Sequence, residues 1–255
     1  MTAIGSSASL NAVLNSIFQQ PPFQFLTAEE QESLFSNASP VSCPQGQRIL
    51  RPDTLPTQVF LVLSGTVRLL AESPQGSRTL DLRGKGQLLG WVSLLRASPC
   101  EWVLASEDTV LLGLPATIFV ACLEANGAFF EAFARLHSVH ELDAVLQQMA
   151  AADVQLSSGW QQQLQATGNA DRSWTASAEA GVPFTPPDAV PSEAVWLLST
   201  AGVPGMEVGQ IVQHGDVLPL RPGFKLPYRL IAVEPKGEIQ LSHDMNVVAS
   251  EDGVQ

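Results

Sequence analysis

Residues 88–95 read LLGWVSLL, an apolar run that ends in a glycine turn and continues into the start of a short helix. A glycine at such a turn lets the backbone approach a ligand closely, and the small Ser93 leaves room beside it. Trp91 stands between these two residues, where its bulk is hard to reconcile with a bound molecule. The stretch predicts a small-ligand cradle that carries one unsuitable residue.

A second group of reactive side chains is HSVHE at 137–141, which sets His137 and His140 three residues apart with Glu141 adjacent. Two histidines on one helical face can hold a metal ion. The sequence places no third ligand beside them, and the HExxH order is absent. We therefore interpret the group as a partly exposed helix face and predict no metal site.

His214 and Asp216 have the residue types of a catalytic pair, but no serine or cysteine nucleophile accompanies them. The motifs GxSxG, GxGxxG and GxxxxGK[ST] do not occur, and Gly84-Lys85-Gly86 is interpreted as a turn. Since no acid–base pair or nucleophile is assembled by spacing, the sequence predicts that the chain is not an enzyme.

Composition excludes further classes. The chain has 13 Lys and Arg against 25 Asp and Glu, a net charge of −12, so it offers no basic surface for DNA or RNA. Its three cysteines show no CxxC spacing, which favours buried thiols in a reducing cytosol. The sequence contains no window of 18 apolar residues, so no membrane span is predicted. No Lys or Arg precedes the apolar residues of the N-terminus, so no secretory signal is predicted. We expect a cytoplasmic location, including the cytosolic part of a membrane complex.

The elements that must position the cradle follow from hydrophobic periodicity. An N-terminal helix is predicted within residues 1–23, and Thr27 with Glu30 predicts a capped second helix. Between 41 and 115 short β-branched runs alternate with turns, including two strands hinged at Ser64-Gly65. Such strands are typical of a barrel or sandwich, so the fold class is mainly β.

After the strands the texture changes again. Residues 127–151 predict one long helix, 152–193 a flexible linker rich in Gln, Ser, Gly and Pro, and 194–245 a small β module. The module has too little core to be very stable alone, so it is expected to dock on the barrel or on a partner. Residues 246–255 are a polar tail.

Several stretches in order resemble the cyclic nucleotide-binding domain family. FLTAEEQESLF resembles its entry helix, FLVLSGTVRLL its signature strand pair, and SEDTVLLGLPATIF its last strands and the turn into a helix. The resemblance covers residues 24–151. It implies a β-roll of the double-stranded β-helix or jelly-roll type with flanking helices.

The resemblance also assigns chemistry to LLGWVSLL. The family's phosphate cassette is approximately G-E-x-A/S-L-L, followed after a gap by R-S/T-A. Backbone N–H groups hold the cyclic phosphate, the arginine neutralises it, and the glutamate accepts the ribose hydroxyl. In this sequence Trp91 replaces the glutamate and Pro99 falls on the arginine position.

Losing both charged contacts costs on the order of 4 kcal/mol, about a thousandfold in affinity. We therefore predict a degenerate cassette in which Trp91 closes the pocket and nucleotide binding is weak or lost. No cofactor is predicted, a cyclic nucleotide being the one ligand that the resemblance leaves open. The candidate site residues are Leu89, Gly90, Trp91, Val92, Ser93, Arg96, Pro99, Cys100, Glu101 and Trp102.

The resemblance implies a non-enzymatic regulatory or interaction domain. Such domains also precede bacterial ABC exporters, so a protein partner or a fused membrane transporter is expected. One alternative is a true cyclic-nucleotide sensor that uses cassette amides and Arg96; otherwise Arg96 is a solvated loop residue. Another is a scaffold that dimerises through the 127–151 helix. The family's DNA-reading helix-turn-helix has no counterpart after that helix.

Overall fold

The computed structural model describes residues 16–73, 76–152 and 173–233. Two four-stranded antiparallel sheets, in the orders β1-β8-β3-β6 and β2-β7-β4-β5, form the predicted β-roll with flanking helices. Their strands are β1 Ser39–Cys43, β2 Arg48–Leu50, β3 Gln58–Ser64, β4 Val67–Ser73, β5 Gly76–Arg83, β6 Leu88–Leu89, β7 Trp102–Ala105 and β8 Thr109–Pro115.

The entry into the roll is as the sequence predicts. Helix α1, Ala28–Ser36, begins at a capping box in which Thr27 Oγ1 accepts from the Glu30 amide. The Glu30 carboxylate accepts in return from the Thr27 amide at 2.8 Å. These bonds satisfy donors that a helix start leaves unpaired. Of the segment 1–23 in which the N-terminal helix is predicted, residues 16–23 are described; residues 16–18 are helical and residues 19–22 form turns and a bend.

Alternation along the strands separates two cores. Val62 and Leu111 point into the roll, in a cluster that also contains Leu89. Val59, Leu61, Leu63, Leu112 and Leu114 point the other way, onto a layer of helices. The hinge between β3 and β4 is confirmed, since Gly65 has φ +85°. The cassette region therefore lies between the roll interior and the helical layer.

The predicted single helix over 127–151 is wrong. After α3, Ala116–Ala125, the chain forms α4, Gly127–Ala134, and then α5, Val139–Ala152, with a break between them. The apolar periodicity is continuous across the break, but the two helices have different neighbours. Helix α4 packs in the helical layer through Phe129 and Phe133, whereas α5 packs on a third sheet through Val145.

That third sheet is antiparallel in the order β11-β10-β12-β9. Its strands are β9 Ser173–Ala178, β10 Val195–Leu198, β11 Ile211–Val212 and β12 Tyr228–Val233. The prediction of a linker over all of 152–193 is wrong, because β9 pairs along the full length of β12 and Phe184 is buried in the sheet's core. Its Ser- and Ala-rich sequence lacks the β-branched pattern by which a strand is recognised.

The small sheet docks on the same chain, one of the two outcomes that its limited core predicted. Alternate residues of β12 lie on its two faces: Leu230 packs within the sheet's own core, and Ile231 and Val233 pack on α5. The apolar face of α5 formed by Leu142, Val145 and Leu146 is thus covered within the chain, and dimerisation through residues 127–151 stays a prediction. Residues 153–172 of the predicted linker, residues 234–245 of the predicted module and the tail lie outside the described residues.

Candidate ligand cassette

The cassette is built on a short helix, α2, Trp91–Leu95. Gly90 precedes it with φ +86°, a left-handed conformation that favours glycine. A Cβ atom at this position would lie 3.0 Å from the Gln58 carbonyl oxygen of strand β3. The predicted turn and helix start are therefore present, and Gly90 is required by both its backbone angle and its neighbour.

The amide groups of this helix start face a side chain of the protein itself. The buried Glu101 carboxylate accepts from the Gly90 amide at 2.7 Å and from the Ser93 amide at 3.3 Å. It also accepts from Ser93 Oγ at 2.8 Å. Glu101 directly precedes β7, so that strand carries the carboxylate to the cassette. An internal anion therefore takes the donors that the resemblance assigns to a cyclic phosphate.

Burial dominates the electrostatics of this contact. Desolvation raises the pKa of Glu101, although the hydrogen bonds from Gly90 and Ser93 and the charge of Arg96 oppose the rise. Burial also raises the pKa of the adjacent Cys100 thiol to about 11. A thiol with such a pKa is protonated at neutral pH, so Cys100 is a packing residue rather than a nucleophile.

Trp91 does not lie among the residues that line the roll interior. Its ring packs 5.5 Å from the Phe133 ring of α4, and the Arg229 guanidinium of β12 lies over it at 5.4 Å. Only 6% of the residue is exposed. The prediction that Trp91 closes the pocket therefore needs correction, because Glu101 takes the amides and Trp91 fills the junction with α4 and the third sheet.

Arg96 is fully buried, so its interpretation as a solvated loop residue is wrong. Its Nε donates to the Ser199 carbonyl at 3.3 Å, and its own carbonyl accepts from the Ala201 amide at 2.8 Å. Its two terminal nitrogens have no hydrogen-bond partner among the residues that the structure describes. The third sheet thus covers the loop that follows the cassette helix.

The other candidate residues divide between the two cores. Leu89 faces the roll interior, and Val92 faces the helical layer. Pro99 and Trp102 are half-buried. Pro99, at the sequence position of the family's arginine, brings no charge.

Two neighbours of the cassette were not predicted, Ser199 and Arg229; their buried partner is Glu141, which the sequence analysis grouped only with the two histidines. Glu141 Oε1 accepts from Ser199 Oγ and from Arg229 Nε, each at 2.7 Å. These residues lie 58 and 88 positions from Glu141 in sequence, so no local pattern connects them. The one signal in the sequence is an ionisable residue in an otherwise apolar strand, YRLIAV.

The histidine group of α5 is also more buried than predicted. His140 and Glu141 are 2% and 1% exposed, which corrects the prediction of a partly exposed face for these two residues. His140 Nε2 lies 3.1 Å from the Leu70 carbonyl oxygen, and burial lowers the pKa of His140 to about 4. Within the described ranges no three His, Cys, Asp or Glu side chains are grouped to hold a metal ion.

Comparison with known proteins now adds to this geometry. Residues 40–126 match the family model described as the cyclic nucleotide-binding domain. These residues belong to the cyclic nucleotide-binding domain family. The match covers the roll, the cassette and α3, so the predicted resemblance is confirmed for the part of the chain that carries the candidate site.

A cyclic AMP receptor protein from Thermus thermophilus is 38% identical over 96 residues, 37% of this chain. The chain spans 44% of that relative's length. Among solved structures, the catabolite activator protein of Thermus thermophilus is 28% identical, with a TM-score of 0.37, covering 55% of this chain and 61% of that one. The sensor domain of the regulator DNR from Pseudomonas aeruginosa is 13% identical, with a TM-score of 0.43, covering 47% and 86%.

A search for membrane spans among the described helices finds none that is long and apolar enough by itself. Helices α3 and α4 reach that length and apolar character only as a pair, and they bend by 109° where they meet.

Proposed function

We propose that this chain is a non-enzymatic regulatory module whose cyclic nucleotide-binding domain no longer depends on a nucleotide, because the Glu101 carboxyl group, an internal anion once the pH exceeds its raised pKa, occupies the cassette amides. The single observation that carries the proposal is the contact of its carboxylate with the Gly90 and Ser93 amides. A cyclic phosphate needs the same donors and brings a second negative charge. It would have to displace a side chain that is tethered beside them.

The other two family contacts support the same conclusion. Trp91 replaces the glutamate that receives the ribose hydroxyl, and Pro99 replaces the arginine. Removing one partner of a charge-assisted bond costs about 1.5–3 kcal/mol. The internal anion adds a competitor to these two losses, so cyclic AMP and cyclic GMP are expected to bind no more tightly than millimolar.

Isothermal titration of the full chain with cyclic AMP and with cyclic GMP tests the proposal. We expect no binding below the millimolar range for the natural sequence, and recovered binding in the double variant Glu101→Ala, Pro99→Arg, which frees the amides and restores a cation. Glu107→Ala, an exposed carboxylate in the following turn, is the matched control. Micromolar binding by the natural sequence would refute the proposal.

A second function, a true sensor, is favoured by one observation. The buried guanidinium of Arg96 has two terminal nitrogens without a hydrogen-bond partner among the described residues, so it retains donors for an anion. If this function holds, Arg96→Met abolishes binding that the natural sequence shows in the titration. If the internal-anion proposal holds, the same substitution changes stability only, since there is no binding to lose.

The expected attachment to a membrane exporter and the cytoplasmic location belong to the same proposal. Their support is the resemblance of the domain to regulatory regions of that kind. Affinity purification of the chain from its native cells, followed by mass spectrometry, tests them. Enrichment of an exporter subunit, or of exporter sequence continuous with this chain, is the supporting outcome, and recovery of the chain alone after cross-linking is the opposing one.

A further inference from the structure

The break between α4 and α5 has no cause in its own covalent structure. Residues 135–138 are Arg-Leu-His-Ser and contain neither proline nor glycine. Sharp helix breaks otherwise arise where a side chain inserts into the ladder of backbone hydrogen bonds. The apolar residues on both sides keep a helical period, so the local sequence favours one continuous helix.

The side chain that enters this break is Arg229, from the central strand β12 of the third sheet. Its Nη1 donates to the Ala134 carbonyl at 2.9 Å and to the Phe133 carbonyl at 3.5 Å. Its Nη2 donates to the Leu136 carbonyl at 2.6 Å. In a continuous helix these carbonyls would accept from the amides of residues 137, 138 and 140. The Phe133 carbonyl also accepts from the Leu136 amide at 3.0 Å, so Arg229 replaces chiefly the two bonds that the Ala134 and Leu136 carbonyls would otherwise make to α5 and the break.

Two further contacts hold this guanidinium in place. Its Nε donates to Glu141 Oε1 at 2.7 Å, which ties the first turn of α5 to the same group. Its face lies over the Trp91 ring at 5.4 Å, so the cassette helix supports it from the other side. With 3% exposure, Arg229 gives up its hydration entirely for these partners. A buried charge without partners is costly in free energy, so the Arg229 guanidinium is held at the position where it contacts all of these groups.

We propose that Arg229 holds residues 127–152 as two helices, and that separation of the third sheet from α5 lets this segment form one continuous helix. The sheet then acts as a built-in conformational latch: docked, it keeps the break open and covers the apolar face of α5. When the sheet separates from α5, the carbonyls that Arg229 contacts and the apolar face of α5 become free. The proposal is independent of whether the cassette binds a nucleotide, because none of the contacts involves a ligand.

Paired spin labels on the full chain test the latch. Ala128 of α4 and Gln148 of α5 are exposed, and the three native cysteines are buried, so Ala128→Cys with Gln148→Cys gives selective labelling. Twenty residues of continuous helix span about 30 Å. In the Arg229→Met background, pulsed dipolar spectroscopy is expected to move from the distance of the two-helix arrangement to a population near about 30 Å.

Arg229→Lys covers the case in which Arg229→Met does not fold. A lysine keeps the positive charge beside Glu141, but its single nitrogen cannot reach all three carbonyls. We expect a partial shift of the distance and slower hydrogen exchange of the amides of His137 and Ser138, which become helical. Arg221→Lys is the matched control, since the Arg221 side chain donates to the Ala201 carbonyl and stacks on Phe224, away from the break.

Two results would overturn the latch. One is an unchanged distance in both Arg229 variants, with near-ultraviolet circular dichroism showing that the chain is folded. The other is an equal shift in the Arg221→Lys control, which would show that any weakening of the sheet has the same effect. Faster, rather than slower, exchange at His137 and Ser138 in Arg229→Lys would likewise contradict a helical segment there.

Discussion

Arg229 and Glu141 form an ion pair at 2.7 Å with side chains that are 3% and 1% exposed, although 88 positions separate them in the sequence. The pair joins the middle strand of the third sheet to the first turn of α5. Such a pair is a weak source of net stability, but breaking it leaves an uncompensated buried charge. The loss of either partner is therefore expected to destabilise this junction strongly.

The first prediction concerns this pair. Glu141→Ala leaves the Arg229 guanidinium buried without its counter-charge, so we expect a loss of about 3–5 kcal/mol in the free energy of unfolding. Urea denaturation at neutral pH measures it. Glu131→Ala is the control: Glu131 pairs with Arg135 at 3.8 Å, where the two side chains are 53% and 81% exposed. Solvent screens such a pair, so this change should be small. Equal losses in the two variants would contradict the prediction.

The second prediction uses His140, which burial keeps neutral, its pKa lowered from 6.5 to about 4. As the pH falls from 6.5 towards 4, the unfolded chain takes up a proton that the folded chain does not. Stability is therefore lost in this window, by up to about 3 kcal/mol. His140→Gln should reduce that acid sensitivity, measured by urea denaturation at several pH values. The exposed His214→Gln serves as control, and an unaltered pH dependence in His140→Gln would count against the prediction.

The third prediction has the opposite sign. Burial raises the pKa of Glu101 above its ordinary 4.5, so the folded chain holds this proton to higher pH than the unfolded chain does. The stability that protonation supplies is complete below about 4.5 and is lost as the pH rises through the raised pKa. As the pH rises from about 4.5 through the raised pKa, the natural protein should therefore lose stability relative to Glu101→Gln. Urea denaturation of both proteins at several pH values in this range measures the difference. The prediction would be wrong if the free energy of unfolding of the natural protein increased relative to that of Glu101→Gln as the pH rises.

The fourth prediction concerns the hinge of the β3–β4 pair. At Gly65, with φ +85°, a Cβ would lie 2.6 Å from Thr109 Oγ1 and 2.7 Å from the Asp108 carbonyl oxygen. Gly65→Ala combines left-handed strain of about 1–2 kcal/mol with this clash, so it should lower the melting temperature markedly. Gly46→Ala, at φ +83° with no atom within 4 Å, shows the strain alone. Equal shifts would mean that the close contact relaxes without cost.

Local patterns were enough for the elements whose physics is local. The capping box of Thr27 and Glu30 and the hinge at Gly65 need only neighbours within a few residues. The cassette helix start at Gly90 was also predictable, because its glycine and serine are required by the turn itself. The replacement of two charged family residues by Trp91 and Pro99 is likewise legible in the sequence, since it is a matter of residue type at a known spacing.

What occupies the cassette was decided by tertiary structure. The sequence shows that Glu101 lies near Gly90, but only the path of β7 puts its carboxylate on the Gly90 and Ser93 amides. The sequence predicts that Arg96 is a solvated loop residue, whereas in the structure it is buried and donates to the Ser199 carbonyl. For Arg96 the partner is distant in the sequence, and for Glu101 the contact depends on where strand β7 lies. Residue spacing contains neither kind of information.

The helix predicted over 127–151 shows most clearly the difference between what local sequence predicts and what tertiary contacts decide. The sequence by itself determined a mainly β domain, its capped entry helix and a helical segment after it, because periodicity, capping and turn chemistry are local; that the domain is a β-roll was implied by the family resemblance. Tertiary structure alone divided that segment and recruited β9 from a Ser- and Ala-rich stretch. The physical reason is that Arg229 and β12 supply hydrogen bonds across long sequence separations, and these outweigh the local preference.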